Sequence, residues 1–222
     1  LDFHESTFGS GEEYNKFFLG LLRELLTNYG DIYAVWFDGA TGHGKNGKSQ
    51  AYDWEAYFKL VRELQPNAAI TNCGPDIRWC GNNKGVCRES EWSVLPSYYR
   101  LFDNETCEYT NPKVKVNFSE PDLGSRRKMK KADDFIFYPA EVSLSLRDGW
   151  FYKKAEDLSV KPRSKIEKTY LGSVGSNAGL LLGISPRPDG KLDERDVETL
   201  VTFGAVLKLH FEDNMALDST MT

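Results

Sequence analysis

The sequence predicts an α/β fold in which strand–helix units build a parallel sheet. Helical and extended patterns alternate along the 222 residues, which is typical of βα units. The clearest strand, at residues 32–37, is apolar, aromatic and β-branched without alternation, as expected for a parallel strand buried on both faces. About four such strands can be counted, whereas a (β/α)8 barrel needs eight strands and about 250 residues. We therefore expect a (β/α)8-like TIM barrel of which this chain carries only the later strands and helices.

The first helix is the most strongly patterned element. Ser10 and Glu13 form a capping-box pair at its start. The aromatic and leucine residues that follow keep helical spacing as far as Gly30, which supplies the stop. The strand at residues 32–37 then ends abruptly at Asp38. In α/β folds, binding and catalytic groups collect at the carboxyl ends of strands, so this acid is a candidate functional residue.

A second helix and strand follow. Residues 41–50 form a polar, glycine-rich loop, and Asp53 begins a helix with an apolar face that Pro66 ends. Residues 68–71 then form a short strand.

The second half of the chain has weaker signals. Residues 72–134 show no clear periodicity, and the basic run at residues 126–131 indicates a solvated helix face. Residues 135–137 predict a third buried strand, and residues 179–184 predict another. One helix is predicted around Ile166, Tyr170 and Val174, and a last one from Asp193 with Val197, Leu200 and Val201 turned inward.

Composition excludes several classes of function. The net charge of −5 argues against a nucleic-acid-binding surface, and no apolar run approaches the roughly 20 residues that span a bilayer. The three histidines are scattered, and no two cysteines have the C-x-x-C spacing of a zinc site. We therefore expect no metal site, and the cysteines are predicted to be free, buried thiols: Cys73, Cys80, Cys87 and Cys107.

Three acids stand beside aromatic residues: Asp38, Glu91 and Glu141. Retaining glycosidases use two carboxyl groups about 5 Å apart, one ionised nucleophile and one proton donor. An indole packed against a glutamate desolvates it and favours its neutral form, and Glu91 directly precedes Trp92. Aromatic rings also suit the apolar faces of sugars. The residues themselves therefore predict a carbohydrate-active barrel.

Four long blocks of the sequence resemble family 29 of the glycoside hydrolases, the α-L-fucosidases. The resemblance covers nearly the whole chain in order, and it is closest to the branch that acts on α-1,3/1,4-linked fucose of Lewis-type glycans. The matching blocks are residues 25–30 with 35–40, residues 74–82 with 88–93, residues 138–142 with 147–152, and residues 173–177 with 180–182.

The resemblance implies a retaining mechanism. Asp38 would attack the anomeric carbon of fucose and form a glycosyl-enzyme intermediate, and Glu91 would be the general acid/base. Arg78 would bind near the nucleophile and help to keep it ionised. Trp150 would pack on the fucose, and Glu141 would contact the sugar or its leaving group. Trp36, in the same block as Asp38, is also expected at the sugar, and no metal or organic cofactor is implied.

The identity of the acid stays open in the sequence. Many relatives carry Gly-Asn-Glu where this chain has Asn83 as the third residue; if that glutamate were the acid, Asn83 would abolish general-acid catalysis. Glu91 is preferred because it lies about a dozen residues beyond the Arg-Trp pair, as in the other fucosidase branch, and Glu89 is held in reserve. Three further positions depart from the family pattern, which usually has Asp, Pro and Asn there: Ser143, Asp148 and Gly183.

Residues 1–222 are expected to form one partial catalytic barrel domain, without the upstream strands and C-terminal β-sandwich that family members carry. We expect either a fragment or a partner chain that completes the barrel. The substrate would be a fucosylated oligosaccharide or glycoconjugate, with neither nucleic acid nor membrane involved. A secreted or periplasmic location is suggested by the resemblance alone.

The leading hypothesis is thus a retaining α-L-fucosidase. The alternative is a non-catalytic remnant of the same fold that binds fucose or a glycan, which Asn83 and the missing upstream half favour. A different retaining glycosidase on the same barrel would share the acids, but the long blocks argue against it.

Overall fold

The computed structural model describes residues 5–38, 47–99 and 120–213. It divides into two compact units, Leu1–Gly81 with Glu91–Glu141, and Asn82–Ser90 with Val142–Thr222. The elements of the first unit are α1 (Glu12–Asn28), β1 (Ala34–Phe37), α2 (Trp54–Leu64), β2 (Ala69–Asn72), β3 (Arg78–Trp79), β4 (Val94–Pro96), α3 (Arg126–Met129) and β5 (Phe135–Phe137). β6 (Ala140–Ser145) crosses the boundary, and the second unit continues with α4 (Arg163–Ser173), β7 (Ala178–Gly183) and α5 (Glu194–Phe211).

The predicted parallel pairing is confirmed for the strands that lead to the candidate site. β1 pairs with β2 in parallel, from Ala34↔Ala69 to Phe37↔Asn72. A parallel bridge between Thr71 and Ile77 follows, and β3 pairs in parallel with the first two residues of β6. The described residues contain seven strands rather than about four, because short strands such as β3 and β4 are too brief to show periodicity.

α1 and α2 cover one face of the β1–β2 pair. Their apolar sides form a core with Phe37 and Ile70, and the rings of Phe18 and Tyr57 lie 4.8 Å apart. The strand at residues 32–37 was predicted to be buried on both faces, and this is wrong. Only Phe37 of β1 is fully buried, whereas Trp36 on the other face is half-buried, because the helices cover one face only.

Helix capping is confirmed for α2 and wrong for α1. The Asp53 carboxylate accepts a hydrogen bond of 3.0 Å from the backbone N–H of Ala56, as its position predicts. In α1 the residue at the N-cap is Gly11, with φ of 71° and no side-chain capping bond. The Ser10 hydroxyl instead accepts a hydrogen bond from the N–H of Tyr14, so the capping box does not form.

Residues 135–137 form a strand, but it is neither parallel nor buried on both faces. β5 pairs antiparallel with β4, which allows one face of the pair to be solvated. Ile136 packs into a small core with Leu95 and Tyr138, while Phe135 and Phe137 are exposed. The predicted basic helix face is present in the short α3, where Lys128 forms an ion pair with Glu120.

The core of the second unit lies between β6, β7, α4 and α5. Leu144, Leu146 and Ile166 are buried, and Leu200 and Phe203 of α5 pack against them. Val197 and Val201, predicted to face inward, are exposed, because α5 is turned so that Leu200 and Phe203 face the core instead.

A buried charged cluster ties β6 to α5 inside the second unit. The Arg147 guanidinium donates from Nε to both carboxylate oxygens of Asp196, at 3.1 and 3.0 Å, and from Nη1 to Asp157 at 2.9 Å. Asp193 lies 3.6 Å from Nη2. Arg195 lies 3.4 Å from Asp193 and 3.7 Å from Asp157, so two arginines face three aspartates in this cluster.

The expectations about membrane spans and cysteines can be compared with the described residues only. None of the helices within residues 5–38, 47–99 and 120–213 has the length and apolar character needed to cross a membrane. Cys73, Cys80 and Cys87 form no disulfide and are half-buried rather than buried, and Cys107 lies outside the described residues. So do Gly39 and Ala40, which follow Asp38, and most of the predicted loop at residues 41–50.

Candidate active site

The candidate site begins where β1 ends. Asp38 follows Phe37 directly and is exposed, as expected at the carboxyl end of a parallel strand. Because side chains alternate along a strand, Asp38 and Trp36 point to the face opposite Phe37. Tyr52 lies near this carboxylate: burial is the main cause that raises the pKa of Tyr52 to about 12, and the charge of Asp38 contributes to it.

Four side chains share the face that α1 and α2 leave uncovered, and we call it the tryptophan face: Trp36, Thr71, Trp79 and Glu141. Trp36 pairs with Thr71 in register, and Trp79 pairs with Glu141. The two indoles meet edge to face, with ring centres 6.4 Å apart and planes at 83°. The face therefore joins the end of β1 to the beginning of β6 within the first unit.

Three polar atoms on the tryptophan face are buried without a hydrogen-bond partner among the described residues. They are Trp36 Nε1, Thr71 Oγ1 and Glu141 Oε1. Buried polar groups in folded proteins nearly always have partners, so this face is suited to a ligand or water that offers hydroxyl groups. Polyhydroxylated molecules carry both the donors and the acceptors that these atoms require.

Glu141 has an unusual environment for a carboxyl group. Burial raises its pKa, and the nearby Trp36 indole opposes this effect only in part, without forming a hydrogen bond of good geometry. A carboxyl group whose charged form is penalised in this way keeps its proton to a higher pH than an exposed glutamate does.

Arg78 and Glu91 form a buried ion pair. Arg78 Nη2 donates to Glu91 Oε2 at 2.7 Å, and both side chains are 0% exposed. The same guanidinium donates to the backbone oxygens of Trp92 and Tyr138, at 3.0 and 3.2 Å, and Cys80 Sγ lies 3.7 Å from Glu91 Oε1. An arginine bonded to a carboxylate favours its charged form, whereas a proton donor must be neutral.

The pair lies apart from the tryptophan face. Arg78 and Trp79 are consecutive residues of β3, so their side chains point to opposite faces of the strand. Since Trp79 contacts Trp36, Arg78 points to the opposite side from Trp36 and Glu141. The structure thus brings Trp36 and Glu141 to one face, to which the alternation along β1 would also direct Asp38. It binds Arg78 to Glu91 elsewhere in the same unit.

The remaining candidates lie in the second unit. Trp150 is 42% exposed, and its ring lies where a Cβ at Gly183 would be, 2.3 Å from its nearest atom. Asn83 is exposed, and its side-chain oxygen accepts a hydrogen bond of 2.7 Å from the Ser143 hydroxyl. Glu89 is exposed. Two positions that depart from the family pattern, Asn83 and Ser143, therefore form an uncharged hydrogen-bonded pair.

The sequence did not single out Trp79, Thr71 or Tyr52 for the site. Trp79 had a usable signal, because it directly follows Arg78 within a block that resembles the family. Thr71 could have been inferred from the pairing of two predicted parallel strands. Tyr52 follows a loop of unpredictable path, and nothing in its neighbourhood in the sequence indicates that it approaches Asp38.

No group of three or more His, Cys, Asp or Glu side chains suited to a metal ion occurs within the described part of the chain. The chemistry available on the tryptophan face is that of carboxyl groups and indoles.

Several known proteins are similar to this chain in sequence and in fold. The Alpha-L-fucosidase family profile matches residues 2–212. Alpha-L-fucosidase 1 of Arabidopsis thaliana is 34% identical over 97% of this chain and 38% of its own length. A crystal structure of a candidate α-L-fucosidase from Bacteroides ovatus ATCC 8483 superposes with a TM-score of 0.80 and 41% identity, over 95% of this chain and 36% of that one.

A glycoside hydrolase 29 family member from an unknown rumen bacterium gives a TM-score of 0.73 with 32% identity, over 96% of this chain and 37% of that chain. The chain thus spans somewhat more than a third of the length of these relatives. Since the family profile matches almost the whole of it, the chain belongs to the α-L-fucosidase family.

Proposed function

We propose that this chain carries the nucleophile and part of the sugar site of a retaining α-L-fucosidase that releases terminal α-1,3/1,4-linked L-fucose from glycans. The observation that carries the proposal is the tryptophan face, where two indoles and three unpartnered polar atoms join the end of β1, which Asp38 follows, to the beginning of β6. Family membership makes fucose the expected sugar, and the specificity for linkage rests on the resemblance of the sequence blocks.

In this proposal Asp38 is the nucleophile. Its exposed carboxylate attacks the anomeric carbon of fucose as the bond to the leaving oxygen breaks, and a glycosyl-enzyme ester forms. Water then attacks the same carbon, and Asp38 is released with retention of configuration. Trp36 and Glu141 bind the sugar beside it. The packing of Trp150 on fucose rests on the resemblance of the sequence blocks alone.

The acid/base role predicted for Glu91 gains no support from its surroundings. Its carboxylate would have to break a 2.7 Å ion pair in a fully buried site before it could donate a proton. The buried pair with Arg78 fits a structural role in the first unit better than a catalytic one.

A trapping experiment tests the nucleophile. The chain alone and the chain joined to the flanking regions of a family member are incubated with a 2-fluoro-fucosyl fluoride, and the labelled peptide is identified by mass spectrometry. We expect label on Asp38, and we expect Asp38→Asn to lower hydrolysis of 4-nitrophenyl α-L-fucoside at least 10³-fold, within the range seen when a nucleophile is removed. Glu63→Gln, an exposed change in α2, is the matched control.

Label on another residue would refute the nucleophile assignment. Activity only in the extended protein would support the prediction that flanking barrel segments or a partner chain complete the site, and activity of the chain alone would refute it.

The second candidate function is a glycan-binding remnant, favoured by the uncharged Asn83–Ser143 pair. Fucose binding by both forms of the protein, with no hydrolysis and with unchanged affinity in Asp38→Asn, would support this function over the enzyme.

A further inference from the structure

The mechanism proposed above needs a proton donor, and the tryptophan face offers one. We propose that Glu141, which shares this face with Asp38, is the general acid of the reaction and donates its proton to the departing glycosidic oxygen. This inference rests on the proposed function, and it assigns to Glu141 a step for which Glu91 was the sequence-based candidate.

The strand register places the two carboxyl groups at the same level. The pairings that link the strands are Phe37↔Asn72, Thr71↔Ile77 and Trp79↔Glu141. Counting along them puts Asp38, one residue beyond Phe37, level with Trp79 and so with Glu141. Residues at one level of a parallel sheet point to the same face, which agrees with the contact between Trp36 and Trp79.

The proposal requires the two carboxyl groups to approach each other across a sugar ring. Three strand spacings of about 4.8 Å divide the backbones of Asp38 and Glu141 on a flat sheet, and curvature brings inward-pointing side chains closer together. Retaining glycosidases place their two carboxyl groups about 5 Å apart, on either side of the scissile bond. The indole of Trp36 lies near Glu141, and Trp36 is two residues before Asp38 in the chain.

The surroundings of Glu141 favour its protonated form. Oε1 is buried and has no hydrogen-bond partner among the described residues. The influences on its pKa are burial, which raises it, and a smaller opposing effect of the uncharged Trp36 indole. Glu91, by contrast, is bonded to a buried arginine. Of these two glutamates, Glu141 is the one whose environment matches an acid.

Proton transfer from Glu141 accompanies cleavage of the glycosidic bond. The O–H bond of Glu141 breaks and its proton passes to the glycosidic oxygen, while the bond from that oxygen to the anomeric carbon breaks and the bond to Asp38 forms. Glu141 is then ionised, and it accepts a proton from the water that attacks the anomeric carbon. The ester to Asp38 is cleaved, and both carboxyl groups return to their starting states.

The dependence of the rate on the leaving group tests the proposal. Glu141→Gln is compared with wild type on a Lewis-type oligosaccharide, which leaves as a poorly acidic alcohol, and on 2,4-dinitrophenyl α-L-fucoside, whose leaving group needs no proton. We expect a loss of about 10²–10⁴-fold on the oligosaccharide, the usual contribution of general-acid catalysis, and less than tenfold on the aryl fucoside. Glu63→Gln is the matched control, and Glu91→Gln is the rival variant.

Equal losses of Glu141→Gln on both substrates would show a binding role and overturn the proposal. A leaving-group-dependent loss in Glu91→Gln, with none in Glu141→Gln, would give the role to Glu91.

A second readout does not depend on turnover. With ¹³C-labelled glutamate, the side-chain carboxyl carbon of Glu141 is assigned by its absence in Glu141→Gln, and its chemical shift reports whether the group is protonated at pH 7. We expect a protonated carboxyl group, and an ionised one in an active enzyme would refute the donor role while leaving Asp38 as the nucleophile. If the wild-type protein hydrolyses neither substrate, the proposed function fails, and the donor role fails with it.

Discussion

The buried ion pair between Arg78 and Glu91 gives a quantitative prediction. Both side chains are fully buried and meet at 2.7 Å. Removing one partner of such a pair leaves an uncompensated buried charge and costs about 3–5 kcal/mol. Glu91→Gln preserves the shape of the side chain and one acceptor oxygen, so we expect it to lower the free energy of unfolding by about 3 kcal/mol, at the low end of that range.

A double-mutant cycle separates the pair from its surroundings. Arg78→Met leaves the Glu91 carboxylate buried without its cation, and it also removes the hydrogen bonds to the backbone oxygens of Trp92 and Tyr138. The double variant removes both charges of the pair together. Its cost should therefore be smaller than the sum of the two single costs by about 2–3 kcal/mol, in the range measured for coupled neighbours.

Urea denaturation followed by tryptophan fluorescence is a suitable assay. Four of the five tryptophans, Trp36, Trp54, Trp79 and Trp92, belong to the first unit, so the signal reports mainly on the unit that contains the pair. Glu63→Gln makes the same chemical change at an exposed site and should stay within about 0.5 kcal/mol of wild type. A cost below 1 kcal/mol for Glu91→Gln, or additive single costs, would refute the structural role assigned to the pair.

Two further predictions concern the second unit. The hydrogen bond from Arg147 is the main cause that lowers the pKa of Asp157 below its ordinary value of 3.8. The ionised Asp157 therefore contributes its full stabilisation above about pH 4, and this stabilisation is lost as the pH falls through the lowered pKa. Thermal unfolding from pH 6 to pH 2.5 should accordingly show a shallower acid-induced loss in Asp157→Asn than in wild type, and equal slopes would contradict this. A Cβ at Gly183 would lie 2.3 Å from the Trp150 ring, so Gly183→Ala should displace that indole and shift its N–H resonance, whereas Gly175→Ala, which meets nothing within 4 Å, should leave the resonance in place.

The local elements could be predicted from the sequence because their signals are short-range. The apolar run that ends at Asp38 is enough to place that acid after β1, and the position of Asp53 is enough to predict the cap of α2. The strands β3 and β6 were missed for opposite reasons. β3 has only two residues, too few for any period. β6 has six residues in which apolar and polar side chains alternate, so its pattern was long enough to predict a strand.

Contacts between distant residues could not be predicted in the same way. Trp92, which follows Glu91, suggests a desolvated glutamate, but the carboxylate of Glu91 is bound to Arg78, 13 residues earlier in the chain. Adjacency in the sequence says nothing about which group a side chain meets, because neighbouring residues of an extended segment point in opposite directions. Val197 and Val201 of α5 show the same limit, since the rotation of a helix against its core depends on the partner surface.

Local sequence pattern alone determines the type and order of most elements here and the position of Asp38 at a strand end. It also determines the family that the four sequence blocks resemble. Those features depend on backbone propensity and on runs of neighbouring residues, which a linear sequence displays directly. Only the tertiary structure decides the register that sets Asp38 level with Glu141, the burial that raises the pKa of Glu141, and the ion pair that binds Glu91. Protonation and charge pairing depend on desolvation and on distance in space, and the fold brings together Trp36 and Glu141, which the chain separates by more than a hundred residues.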